Sequence, residues 1–134
     1  MAAERLHCLV ITPERTVVDE TADFVAVPLY DGELGVLPGR APLVGRLGFG
    51  ELRLRRGEEV QRYFVDSGFV QIKRNTVTLL TAHAVAAHEL DVAALEAQLA
   101  QPLPVTATPT DRQRLLQHRE RCRAMLRAAR KSSV

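Results

Sequence analysis

The chain has 134 residues, 25% of them charged and 46% hydrophobic, which is room for one ordinary domain or for a small domain with an appendage. No stretch approaches the roughly 18 consecutive apolar residues of a membrane span, and the N-terminal MAAERLHCLVITPE, with an acid at Glu4, is not expected to act as a signal peptide. The net charge of +2 hides an asymmetry: residues 1–110 carry 10 basic and 14 acidic side chains, residues 111–134 carry 8 and 2, so the tail is electrostatically distinct.

In chain order, LHCLVI (6–11) and ADFVAVPL (22–29) are apolar and β-prone. GELRLRR (50–56) alternates, with Leu52 and Leu54 on one face and Glu51, Arg53 and Arg55 on the other. QRYFV (61–65), FVQIK (69–73) and TVTLLT (76–81) follow. Turns are expected at Asp31-Gly32, Arg56-Gly57-Glu58, Asp66-Ser67-Gly68 and Arg74-Asn75. Short strands with such punctuation predict an all-β sandwich or barrel.

All eight glycines fall before residue 69, and the chain turns alanine-rich after residue 81. In DVAALEAQLA (91–100), Val92, Leu95 and Leu99 share a helical face, with Asp91 as N-cap. QPLPVTATPT (101–110) holds three prolines and predicts a linker. A second helix is expected from a Thr110-x-x-Gln113 capping box, with Pro109 just outside it. Leu115, Cys122, Met125 and Ala129 give it a thin apolar stripe, widened by Leu116 and Leu126. Two such helices joined by a proline linker predict a hairpin, with domains at 1–84 and 85–134. Cys8 and Cys122 form no CxxC and suit no zinc site, so two free thiols in a reducing cytosol are expected.

The stretch GELGVLPGRAPL (32–43) packs three glycines and two prolines into twelve residues. It lacks the lysine and following helix of a phosphate loop. Asp66-Ser67-Gly68 lacks the nucleophile-elbow pattern, and the scattered His7, His83, His88 and His118 suit no metal site. No catalytic constellation emerges and no cofactor or metal is expected. Asp31 and Glu33 flank Gly32 at a hairpin tip, where Asp-Gly is a common turn. The basic tail helix suits an acidic protein helix, a nucleic acid or an anionic surface. The lack of Trp and Phe from its stripe weakens the membrane option.

Three segments, VPLYDGELGVLPGRAPL (27–43), DSGFVQIKRNTVTLLTAHA (66–84) and ELDVAALEAQLA (89–100), resemble the signatures of the epsilon subunit of F-type ATP synthase, over essentially the whole chain. The resemblance implies a β-sandwich of about ten short strands followed by a helical hairpin. It implies a non-catalytic central-stalk subunit, peripheral on the cytoplasmic face of the cell membrane, in a proton- or sodium-translocating synthase. Its partners would be gamma, the c ring and the beta subunits, with no nucleic acid and with membrane contact only through the complex. Carried over by motif, Asp31, Gly32 and Glu33 would face the c ring, and Gly39, Arg40, Ala41, Pro42 and Leu43 would lie near gamma and the c ring. Arg112, Arg114, Arg119, Arg121, Arg123 and Arg127 would meet acidic beta-subunit segments and restrain ATP hydrolysis. Two positions depart from the family: Arg40 stands for its usual histidine, and Ala94 breaks the nucleotide motif [IL]-D-x-x-R-A at Leu90–Leu95, so weak or no ATP binding is expected. The rival reading is a free-standing sandwich adaptor with a nucleic-acid-binding basic helix.

Overall fold

The computed structural model describes residues 4–102 and 108–132. Of the predicted linker, residues 103–107 lie outside the described residues. Seven strands come first: β1 (Leu6–Ile11), β2 (Thr16–Ala22), β3 (Phe24–Leu29), β4 (Gly32–Val36), β5 (Leu43–Arg56), β6 (Glu59–Lys73) and β7 (Thr76–Ala86). A single 3-10 turn (Ala87–Glu89) leads to α1 (Val92–Ala100) and then α2 (Pro109–Ser132). The strands form one ladder in the order β2-β1-β7-β6-β5-β3-β4. Every pairing is antiparallel except β1 with β7.

The ladder folds over on itself, so both ends contribute to one core between two layers. Leu6, Cys8 and Val10 of β1 alternate inward and meet Val25 and Val27 of β3, Leu52 and Leu54 of β5, Val70 and Ile72 of β6, and Val77 and Leu79 of β7. The long strands serve both layers, and each must reverse which residues face inward. On β5 the buried residues switch from Leu47 to Leu52 and Leu54, odd to even. The β3–β5 register slips over the same region, between Ala26 and Leu29. On β6 they switch from Val65 to Val70 and Ile72. Since side chains alternate with a period of two, such a reversal requires a local backbone distortion.

On β6 that distortion is Ser67-Gly68, with φ of 57° and 114°. A Cβ at Gly68 would lie 1.9 Å from the Leu80 carbonyl oxygen, so only glycine fits there. Thr81, buried on β7, shares its hydroxyl proton between the carbonyls of Asp66 (2.9 Å) and His83 (3.1 Å), bracing the bend. Asp66-Ser67-Gly68 is therefore not the tight turn the sequence suggested. Its positive φ values bend a strand that continues through Lys73. Likewise Gly45, Gly48 and Gly50 lie inside β5. The predicted strand at 22–29 divides at Asp23, and Thr16–Ala22 and Gly32–Val36 are strands of their own. The ten or so short strands thus appear as seven, because the bends do not interrupt pairing.

The helices also begin close to where they were expected. Asp91 caps α1, its Oδ1 accepting the Ala94 amide at 3.1 Å. The start of α2 differs: Thr108 Oγ1 accepts the Asp111 amide at 3.1 Å and Pro109 is the first helical residue. Proline suits that position because its missing N–H has no partner there anyway. Leu95, Cys122 and Leu126 are buried between the helices, with Leu90, Val92, Leu99 and Met125 packed around them. Leu116 faces solvent instead of widening the stripe. α2 also lies against β5, β6 and the 3-10 turn.

Candidate functional site

Three surfaces stand out, and two of them collect the residues singled out in the sequence. The first is the rim at the two ends of β4. Tyr30 and Asp31 form the two-residue loop of the β3–β4 hairpin, and Leu29 pairs with Gly32. Asp31 and Gly32 are exposed at this tip. Glu33 is not free there, since Arg53 donates to its carboxylate at 2.6 Å. Arg53 also faces Glu51, which in turn accepts from Arg62 at 2.6 Å. The tip leans on β5 through a 2.9 Å bond from the Tyr30 amide to the Arg46 carbonyl.

At the other end of β4, about 13 Å away at ~3.3 Å per residue, the chain turns at Pro38-Gly39. Gly39 has φ of 86°, and its amide donates to Asn75 Oδ1 at 2.7 Å. That bond ties the proline-rich loop to the β6–β7 hairpin. Arg40, Ala41 and Pro42 are exposed, while Leu43 is half-buried against the core. Arg40 makes no ion pair among the described residues. The loop is held in shape by backbone geometry and one side-chain bond, which leaves its outer groups available.

The second surface is the outer face of the layer built from β5, β6, β7 and β1. Arg46, Phe69, Leu80 and Ile11 stand side by side across these strands. Four neighbouring strands at ~4.8 Å spacing span about 14 Å. Phe69 is 59% exposed, Leu80 52% and the adjacent Val44 73%. Tyr30, 73% exposed, lies over the Arg46 guanidinium, 5.0 Å from ring centroid to Cζ. Leu37 adds a further exposed apolar group at the loop. Scattered single apolar residues need no explanation, but a contiguous set across four strands marks an interaction surface. The signal was present in sequence as Leu79-Leu80 and Leu43-Val44: a strand with apolar residues at both parities has two apolar faces.

The third surface is α2. At 3.6 residues per turn, Arg112, Arg119, Arg123, Arg127 and Arg130 fall within an arc of roughly 80°. Arg114 and Arg121 point to the opposite side. The six arginines named from sequence are therefore not one surface. Arg119 reaches the Gln101 carbonyl, Arg123 pairs with Glu120 at 3.4 Å, and Arg130 pairs with Glu96 at 2.8 Å. Arg112 and Arg127 have no ion pair among the described residues. Arg114 pairs within the helix with Asp111 at 2.6 Å. Arg121 instead meets Asp66 of the sandwich at 2.9 Å.

Neither thiol is set up for chemistry. Burial, and then the facing Glu20 carboxylate, push the Cys8 thiol up to about 12, and burial also raises Cys122. Both are free cysteines. Among the described residues no group of three His, Cys, Asp or Glu side chains could hold a metal, and no helix is long and apolar enough to cross a membrane. Asp91, which matched the nucleotide motif, spends its carboxylate on the α1 cap.

Comparison with known proteins places the chain in a family. Residues 5–87 match the family described as ATP synthase, Delta/Epsilon chain, beta-sandwich domain. The chain is 46% identical over 126 residues to the ATP synthase epsilon chain of Rhodopirellula baltica, covering 93% of this chain and 98% of that one. It is 35% identical over 126 residues to the ATP synthase epsilon chain of Leptospira borgpetersenii, covering 94% and 98%. A solved chain in the Euglena gracilis mitochondrial ATP synthase, OSCP/F1/c-ring in rotational state 1, matches with a TM-score of 0.70 at 18% identity, covering 97% of this chain and 82% of that one. One in the Tetrahymena thermophila mitochondrial ATP synthase, central stalk/c-ring, matches at 0.67 and 13% identity, covering 96% and 99%. At such identities the two solved chains speak to the fold.

Proposed function

The chain belongs to the ATP synthase epsilon chain family, and we propose that it serves as a non-catalytic subunit of the central stalk, joining gamma to the ring of c subunits. The observation that carries this reading is the apolar outer face of Val44, Phe69 and Leu80, exposed beside the rim loops. A monomer gains nothing from leaving such a face wet, whereas a permanent partner buries it. The solved chains of like fold come from an OSCP/F1/c-ring assembly and from a central stalk/c-ring assembly, which supports a place for this chain in the stalk beside the c ring. In this reading the outer face seats gamma. The Asp31 tip and the loop around Gly39, Arg40, Ala41 and Pro42 meet the c ring, peripheral to the membrane on its cytoplasmic side. Arg40 stays charged at all physiological pH and calls for an acidic or carbonyl partner there.

The helices supply the second half of the proposal. The stripe of Arg112, Arg119, Arg123 and Arg127 suits an acidic segment of the beta subunits, and α2 bound there restrains ATP hydrolysis. Arg114 and Arg121, on the other side of the helix, are left out of that contact. With Asp91 engaged in capping and Ala94 in place of an arginine, ATP binding is weak or absent; submillimolar affinity by calorimetry would refute this. The deciding experiment is reconstitution. The chain should co-purify with gamma and the c ring, and deletion of residues 88–134 should raise the ATPase activity of the assembled enzyme. Salt-sensitive nucleic-acid binding without gamma binding would favour the adaptor reading instead.

A further inference from the structure

We propose that Arg121 is a latch that holds α2 on the sandwich, with Asp66 and Phe49 as its receptor. This rests on reading the helices as a brake that must leave the sandwich to act. Phe49, Asp66 and His83 are direct neighbours across β5, β6 and β7, at the place where β6 bends through Ser67-Gly68. The Arg121 guanidinium sits over both of the first two. Its Nε is 2.9 Å from Asp66 Oδ2, and its Cζ is 5.4 Å from the Phe49 ring centroid. The Nε forms no aligned hydrogen bond, so the tie is ionic and cation–π in character. Asp66 is only 15% exposed but Arg121 is 36% exposed, so the pair is partly shielded yet still reached by water and salt.

The rest of the contact is weakly built. The buried α2 residues outside the α1 seam include Ala124 and Ala128, whose small side chains bring the helix close. Phe64 is buried outside the main core and Met125 is half-buried. These two border a cleft of about 430 Å³ between α2, β6, β7 and the β1–β2 turn. The docked helix therefore leaves space unfilled, and close packing is what normally fixes one element on another. Among the described residues, Arg121–Asp66 is the one ion pair that links α2 to a strand. A helix so held releases when a competing partner replaces a single charged tie.

The test is amide hydrogen exchange on the full chain, followed across residues 121–130. Asp66→Asn and Arg121→Gln should each speed exchange there by about tenfold, equivalent to about 1.4 kcal/mol, with protection in β1 to β7 unchanged. Arg121→Lys, which keeps the charge, should fall between. Arg114→Gln, which breaks only a pair within the helix, should leave exchange at the wild-type rate. Wild-type exchange in α2 should also rise at 1 M salt, where the Debye length is ~3 Å. Exchange within twofold of wild type in both Asp66→Asn and Arg121→Gln overturns the latch. If sandwich protection is lost in both, Arg121→Lys and the salt series decide, and a flat salt response overturns it. ATPase assays of the assembled enzyme separate the two readings. Faster exchange with unchanged ATPase leaves the latch standing and removes the brake; unchanged exchange removes the latch and leaves the brake.

Discussion

Replacing Gly68 by alanine tests the bend on which both layers of the sandwich depend. At this position φ is 114°, and the new Cβ would sit 1.9 Å from the Leu80 carbonyl oxygen and 2.9 Å from its carbon. Relief requires the paired backbone of β7 to move by more than an ångström, and Leu80 is fixed by pairing with both Phe69 and Ile11. A strained φ costs about 1–3 kcal/mol, and an overpacked site adds about 1–3 kcal/mol. The sum, about 2–6 kcal/mol, is a large share of the ~5–15 kcal/mol that holds a domain together. Gly57, at φ of 59° in the β5–β6 turn with nothing near its Cβ position, is the matched control. There alanine meets only the left-handed penalty of about 1–2 kcal/mol. Urea unfolding followed by far-ultraviolet circular dichroism should separate the two variants by about 2 kcal/mol, close to the difference between the middles of the two ranges. A loss below 1 kcal/mol for Gly68→Ala would mean that β6 does not bend at this glycine.

Other consequences can be measured on the same protein. Leu52→Ala, at 0% exposure in the shared core, should lose about 2–5 kcal/mol by urea titration; Val60→Ala, at 44% exposure, should stay within about 0.5 kcal/mol. Phe69→Ala should weaken binding to purified gamma by at least ~30-fold, the effect of an interface anchor worth ~2 kcal/mol, while leaving circular dichroism intact; unchanged affinity would move gamma off this face. The Cys8 thiol is raised from 9.0 to about 12, so the folded state holds its proton more tightly than the unfolded chain. Its contribution to stability is full below pH 9 and is lost as pH rises through about 12. Urea midpoints should therefore fall across that window, less steeply in Cys8→Ala, and thiol reagents at pH 8 should label neither cysteine until the chain unfolds.

The sequence exposed the strands that alternate and hid the features that break alternation. β1 could be placed to the residue because Leu6, Cys8 and Val10 face one way along its whole length. Asp91 could be named as a cap because its role is local. Asp66-Ser67-Gly68 looked like a turn because Asp, Ser and Gly are the residue types that turns favour. Here both neighbouring strands stay paired through it, a long-range fact that no local pattern carries. The same limit applies to the surfaces. The rim loop was visible from its glycines and prolines, but the bond from Gly39 to Asn75, 36 positions away, was not. The arginines of α2 could be counted but not sorted, because the sorting depends on which face the sandwich occupies. Asp66, read as part of a turn, is the receptor that captures Arg121.

The two halves of the chain are held by different physics, and this bears on how such a subunit could work. The sandwich is tied by strands that run through both layers, so a force on the rim reaches the outer face through continuous backbone. Its core side chains come from every strand, and removing any one opens a cavity that the others cannot close. The hairpin has its own small core of Leu95, Cys122 and Leu126, so α1 and α2 can stay together while their contact with the sandwich changes. What joins the halves is an alanine-lined face, an unfilled cleft and one charged clasp. A subunit that, as proposed, is rigid where it joins the stalk and releasable where it restrains hydrolysis needs this inequality. The residue on which it turns is Arg121, which sits on the side of α2 away from the outward basic stripe. Releasing it removes the tie that holds the helix back, while the outward stripe on the opposite side of α2 is left to meet an acidic partner, so the latch and the proposed brake use different faces of one helix.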